Sequence, residues 1–145
     1  MKAVFRSDTG RKRANNEDSV FMDVHSGIFI LADGMGGHQA GEVASEIAVR
    51  RACDFVREKV SAPHEHLDYQ KCLLESFVKA NDAVRQAALT DKSLTGMGTT
   101  LLLTVVGNGK AYIGNVGDSR AYLVRESLRQ LTKDQTVAAF LANTI

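Results

Sequence analysis

Two hydrophobic periods run along this chain, and the change from one to the other divides it into three stretches. Residues 2–8 and 19–24 read as short strands, and residues 27–33 as a fully buried one, because the apolar run Ile28-Phe29-Ile30-Leu31 is continuous rather than alternating. From Gly41 to about Lys59 the period lengthens. Val43, Ile47, Ala48, Ala52, Phe55 and Val56 recur at three- and four-residue spacing, which predicts a helix stopped by Ser61-Ala62-Pro63. A second helix is predicted from about Leu67 to Leu89, with Leu73, Phe77, Ala80, Val84 and Ala88 on one face. The short period then returns. Thr99 to Val106 is β-branched and leucine-rich, Gly107-Asn108-Gly109 is a hairpin signal, and Lys110 to Val116 and Arg120 to Arg125 are further strands. Leu128 to Leu131 reads as a short strand and Val137 to Ala142 as the start of a helix. Strands, two long helices, then strands predict an α+β fold with an antiparallel sheet and segregated helices.

Composition narrows the picture only a little. The 145 residues suffice for one domain with its own core, and no linker or repeat interrupts them. A net charge of +1 gives no reason to expect a nucleic-acid partner, and Arg11-Lys12-Arg13 is the one basic cluster near the acidic motifs described below. No apolar run reaches the roughly 18 residues of a membrane helix. Arg6 and Asp8 interrupt any leader-like apolar segment near the N-terminus. The expectation is a cytoplasmic protein without a membrane partner. Cys53 and Cys72 fall on predicted helices without metal-type spacing and read as buried, reduced thiols.

The chemistry sits in two acidic clusters, Asn15-Asn16-Glu17-Asp18-Ser19 and Ala32-Asp33-Gly34-Met35-Gly36-Gly37-His38. An aspartate ending a buried strand and followed by a glycine turn is partly desolvated, so it needs a cation or several hydrogen-bond donors. Two such clusters about fifteen residues apart suggest a hard-metal site built from oxygen ligands. Asp18, Asp33 and Asp118 each adjoin a strand end. Plainer roles exist for each residue: Asp18 as a turn or cap residue, Asp118 as a β-turn aspartate, Arg13 as a surface arginine. Met35 and Met97 read as packing residues, and His25, His64 and His66 as surface ones. A dinucleotide-binding loop is disfavoured. Gly34-x-Gly36 fits its first two positions, but Gln39 occupies the third, and such a loop explains neither Asn15–Ser19 nor Gly117–Arg120.

Four motifs in order resemble one family. Ser7-Asp8-x-Gly10-x-x-Arg13-x-Asn15-Asn16-Glu17-Asp18 is similar to the opening motif of the metal-dependent type-2C (PPM) serine/threonine protein phosphatases, and Ala32-Asp33-Gly34-Met35-Gly36-Gly37 to their second motif in its bacterial form. Gly96-Met97-Gly98-Thr99-Thr100 and Asn115-Val116-Gly117-Asp118-Ser119-Arg120 resemble two more. The resemblance implies an antiparallel β-sandwich flanked by helices, and Mg/Mn-dependent hydrolysis of phosphoserine and phosphothreonine in proteins by metal-activated water. It implies two or three Mn2+ or Mg2+ ions in an intact domain. Asp33 would bridge two of them, the Gly34 carbonyl would contact one, Glu17 and Asp18 would hold metal-bound waters, and Asp118 would stand near a third position. Arg13 would clamp the substrate phosphate; with Asp18 it forms the implied catalytic pair. Partners would be phosphorylated Ser/Thr proteins and the kinases that oppose the enzyme in signalling. The eukaryotic members' acid histidine directly follows the Asp-Gly pair, where this chain has Met35, so His38 does not inherit that role.

The resemblance covers the N-terminal part of the catalytic domain. Two further metal-binding aspartates of the family lie in motifs that residues 121–145 lack; Glu126 and Asp134 stand outside any such motif. The expectation is therefore a domain truncated at its C-terminus. It would hold one ion or none, be inactive by itself, and self-associate through exposed sheet edges. The competing expectation is a catalytically dead, phosphatase-like binding module.

Overall fold

The computed structural model describes residues 1–36, 40–62 and 67–136. The predicted stretches return in order: β1 (Asp18–Asp23), β2 (Ile28–Met35), α1 (Ala40–Ser61), α2 (Tyr69–Thr90), a single 3-10 turn (Lys92–Leu94), β3 (Gly98–Thr99), β4 (Leu101–Gly107), β5 (Lys110–Val116), β6 (Tyr122–Val124) and β7 (Leu128–Gln130). The main sheet has the order β1-β2-β4-β5, with β3 also paired to β2, and all its pairings are antiparallel. The β6–β7 hairpin is a separate two-stranded sheet. Antiparallel sheets with two segregated helices make the fold α+β.

Side-chain alternation decides which face of the sheet is covered. Along β2, Ile28, Ile30, Ala32 and Gly34 are buried, and along β4 so are Leu101, Leu103 and Val105. These residues face α1, whose Ala44, Ala48, Ala52 and Val56 form its buried stripe. Alanines at these positions let the helix axis approach the strands. α2 packs on α1 and on β5, contributing Leu73, Ala80 and Val84 to the same core. Its first turn is capped by Asp68, whose carboxylate accepts the Lys71 N–H at 3.0 Å. Cys53 and Cys72 are buried and free. The β4–β5 hairpin closes through Asn108 and Gly109, both at positive φ (53° and 71°), as a two-residue primed turn requires.

Among the described residues, no helix covers the opposite face. Val20, Phe29, Leu31 and Leu102 line a shallow groove there together with Val4 and Phe5. Val4 and Phe5 mark the main correction to the expected elements. Residues 2–8 are not a strand; Val4 is 95% exposed. A strand exists only when an edge accepts its backbone, and a short apolar segment does not reveal whether it has one. Smaller corrections follow at the other end. The strand expected over residues 99–106 divides at Thr100, and those expected at 120–125 and 128–131 shorten to β6 and β7. Met97 is buried as expected, whereas Met35 is largely exposed. The helix expected from Val137, and the residues Pro63, His38, His64 and His66, lie outside the described residues.

Candidate active site

Four strand ends meet at one rim of the main sheet. β1 begins there with Asp18, β2 ends there just past Asp33, β4 begins at Leu101, and β5 ends at Val116, one residue before the Gly117-Asp118 turn. Asp18 and Asp33 are direct cross-strand partners, so both carboxylates leave the same face, the one opposite the helices. Like charges directly opposite each other are unfavourable, which adds to the effect of burial on Asp33. Partial burial, then the charges of Asp18, Asp118 and Glu17, raise its carboxyl above the ordinary carboxylate range; Arg13 acts in the opposite sense.

The backbone beneath these acids is held from several sides. The Glu17 carbonyl accepts the Gly34 N–H at 3.0 Å, extending the β1–β2 ladder by one pair. It also accepts the Ser45 hydroxyl of α1 at 2.7 Å. The Asp18 N–H donates to Asn16 Oδ1 at 3.0 Å, and Asn16 Nδ2 donates to Ser7 Oγ at 2.6 Å. Asn16 thus ties the opening loop to β1. Gly34 and Gly41 meet backbone to backbone. A Cβ on Gly34 would lie 2.0 Å from the Gly41 carbonyl oxygen and 2.6 Å from that of Glu17. A Cβ on Gly41 would lie 2.9 Å from Glu17 Cδ. Glycine at both positions lets the first turn of α1 sit against the half-buried Glu17, where the helix dipole favours a carboxylate.

The interruption at Thr100 has a local cause. Thr100 N–H donates to the Asp33 carbonyl at 3.0 Å, as a regular pair would. The return bond is different: Asp33 N–H donates to the Thr100 hydroxyl at 2.9 Å, which takes the place of a ladder carbonyl. Thr99 Oγ1 also donates to the Asp33 carbonyl, at 3.0 Å. The Thr100 hydroxyl in turn shares a 2.7 Å hydrogen bond with the Ser119 hydroxyl. A chain of contacts therefore runs from Asp33 through Thr100 to the turn that carries Asp118. The segment after β7 pins that turn. Gln135 N–H donates to the Gly117 carbonyl, Ala121 N–H to Thr132 Oγ1, and Arg120 makes a two-pronged pair with Asp134.

Each residue expected at the site can now be placed. Glu17, Asp18, Asp33 and Gly34 form one continuous unit across β1 and β2. Asp118 is exposed at the neighbouring strand end, near enough for its charge to act on Asp33. Arg13 is exposed beside Glu17, its guanidinium 3.7 Å from the Glu17 carboxylate, and its charge is felt at Asp33. Among the described residues, no three His, Cys, Asp or Glu side chains converge closely enough to cage an ion. The donor set nonetheless fits a hard divalent cation completed by water. It is all oxygen, it is anionic, and its central carboxylate is repelled by its neighbours. Ser19, Ser45, Thr99, Thr100 and Ser119 were not singled out from the sequence. Ser19 lies within the first acidic cluster, and Thr99, Thr100 and Ser119 within quoted motifs; those placements are the only signal they carry.

A family model for protein phosphatase 2C matches residues 9–144. The chain belongs to that family. It is 40% identical over 148 residues to the serine/threonine phosphatase stp of Listeria welshimeri, covering 99% of this chain and 58% of that protein. Against the serine/threonine protein phosphatase PstP of Mycobacterium tuberculosis the identity is 38% over 151 residues, covering 99% and 27%. The crystal structure of PstP/Ppp superposes with a TM-score of 0.82 at 37% identity, covering 96% of this chain and 57% of the other. The PstP catalytic domain in complex with two manganese ions superposes with a TM-score of 0.81, also at 37% identity. The chain thus spans little more than half the length of the Listeria relative. Among the described residues, no helix is long and apolar enough to cross a membrane.

Proposed function

We propose that residues 1–145 form the N-terminal part of a Mn- or Mg-dependent phosphatase domain acting on phosphoserine and phosphothreonine in cytoplasmic proteins, in opposition to Ser/Thr kinases. The observation that carries this reading is the cross-strand pair Asp18–Asp33, which sets two carboxylates on one face within reach of the Arg13 charge. When bound, the divalent ions supply an acidified water and neutralise phosphoryl charge. Asp33 and the Gly34 carbonyl would hold the ion, Glu17 and Asp18 would orient its waters, and Asp118 would serve a further ion. Arg13 binds two phosphoryl oxygens through its planar fork and orients the ester for in-line attack. Its ion pair keeps it beside Glu17 until a phosphate arrives.

A second reading has one observation in its favour. Among the described residues no three His, Cys, Asp or Glu side chains converge on an ion, an arrangement compatible with a module that binds phosphorylated protein without turning it over. Two measurements separate the readings. The first is phosphate release from a phosphothreonine peptide with Mn2+ by residues 1–145 joined to the C-terminal part of the PstP catalytic domain. The second is peptide binding by the 145-residue chain. Mn-dependent turnover by the joined protein, abolished by Asp33→Asn, supports the phosphatase reading. Peptide binding without turnover in either protein supports the binding module.

A further inference from the structure

Two fully buried helix serines differ in what they hold. Ser76 in α2 and Ser45 in α1 are both at 0% exposure. Ser76 satisfies its hydroxyl within its own helix, donating to the Leu73 carbonyl at 2.6 Å. Ser45 has the same option, the Glu42 carbonyl at 3.0 Å, but its shorter bond leaves the helix for the Glu17 carbonyl at 2.7 Å. A hydroxyl carries one proton. With that proton directed at Glu17, the 2.9 Å contact between Ser45 and Ser19 is a bond donated by Ser19. The relay Ser19 to Ser45 to Glu17 joins β1, α1 and the acidic turn.

We infer that Ser45 is a positioning residue for cation binding, acting through the Glu17–Asp18 peptide. This inference rests on the proposed metal site. The carbonyl of that peptide accepts from Gly34 and Ser45, and its N–H donates to Asn16 Oδ1. Both acidic side chains start from this one peptide plane, so its orientation sets where their carboxylates point. Gly34 fixes the plane from the β2 side and Ser45 from the helix side. Without Ser45 the carbonyl keeps its ladder bond, so the fold persists while the plane gains freedom. Groups that orient metal ligands from behind characteristically change affinity by about 10–100-fold when removed.

The test pairs Ser45→Ala with Ser76→Ala. Each loses a fully buried helix hydroxyl, and only the first hydroxyl reaches the site. Free Mn2+ is followed by electron paramagnetic resonance during titration of the 145-residue chain. Amide hydrogen exchange of the metal-free proteins is followed in parallel. Ser45→Ala is expected to weaken Mn2+ binding about tenfold and to speed exchange at the Gly34 and Asp18 amides, while Ser76→Ala changes neither. Ser19→Ala, which removes only the donor to Ser45, is expected to give a smaller loss in the same direction. Equal effects of Ser45→Ala and Ser76→Ala on binding or on those two amides would overturn the inference. Failure of both the 145-residue chain and its fusion to the C-terminal part of the PstP catalytic domain to bind Mn2+ would remove the metal reading itself. In that case the amide exchange still decides whether Ser45 holds the Glu17–Asp18 peptide.

Discussion

Asp33 and Asp134 are two aspartates within one small structure, and their surroundings push them in opposite directions. Asp33 is partly buried, faces Asp18 across the ladder and has Asp118 and Glu17 nearby, so its carboxyl is raised above the ordinary range despite Arg13. Asp134 accepts hydrogen bonds from the Arg120 guanidinium and from Gln130, and its carboxyl titrates below that range. The second arrangement is electrostatically complete: an acid met by a base, closing the β6–β7 segment against the Asp118 turn. The first is incomplete. Acids gathered with only the exposed Arg13 beside them among the described residues store repulsion that an added divalent ion would relieve. A carboxylate that destabilises the empty protein marks a place built for a ligand, whereas one that stabilises it marks architecture.

The largest expected effect breaks the Asp33 side at its backbone. Gly34→Ala would drive a methyl group against the Gly41 carbonyl, an oxygen with no free side-chain end to move aside. A loss of about 3 kcal/mol in unfolding free energy is expected, from overpacking against backbone, together with loss of Mn2+ binding. Denaturant unfolding measures the first. An unchanged midpoint would mean that the close approach of α1 to β2 is not needed.

Asp33→Asn comes next and separates function from stability. It should weaken Mn2+ binding by about a hundredfold, since it removes the central charge rather than an outer partner. It should also raise the melting temperature of the metal-free chain slightly, because the amide ends the repulsion by Asp18, Asp118 and Glu17. Asp134→Asn should do the reverse, lowering the melting temperature slightly and leaving Mn2+ binding unchanged. Calorimetric melting with and without Mn2+ reads all four outcomes. A fall in metal-free stability for Asp33→Asn would place Asp33 among the structural acids.

The same contrast predicts two pH windows. Asp33 is raised in the folded state, so the folded state binds its proton first. Its contribution becomes more favourable as pH falls through the raised value, and it levels off below the unfolded value near 3.8. Asp134 is lowered, so its contribution is complete above 3.8 and is lost as pH falls through the lowered value. In metal-free protein, Asp33→Asn should flatten the stability profile above 3.8 and Asp134→Asn below it. Denaturant midpoints across pH 2–7 test both.

What the sequence disclosed follows the same division between local and nonlocal causes. β2 was legible because its apolar run is continuous, and the helices because their buried stripe repeats at three and four residues. The Asn108-Gly109 turn was legible because few other residue pairs take positive φ twice. Residues 2–8 were misread because a strand depends on a partner edge that no local pattern encodes. The break at Thr100 was hidden because the pairing register continues through it; only a hydroxyl takes over from a carbonyl. Glu17, Asp18, Asp33 and Asp118 stood out as acids beside strand ends. Ser45 did not, since a buried helix serine looks like Ser76 until its partner across the fold is seen. The Arg120–Asp134 pair was hidden for a related reason, being brought together by the hairpin between them.

We propose that a divalent cation binds at the rim formed by β1, β2, β4 and β5. Paramagnetic broadening of backbone amide signals by substoichiometric Mn2+ tests it most directly. Loss of signal is expected first at residues 17–18, 33–34, 99–100 and 117–119, with the hairpin tip at residues 125–127 and the last turn of α1 unaffected, and the broadening should vanish in Asp33→Asn. Broadening centred on another part of the chain, or unchanged in Asp33→Asn, would contradict it.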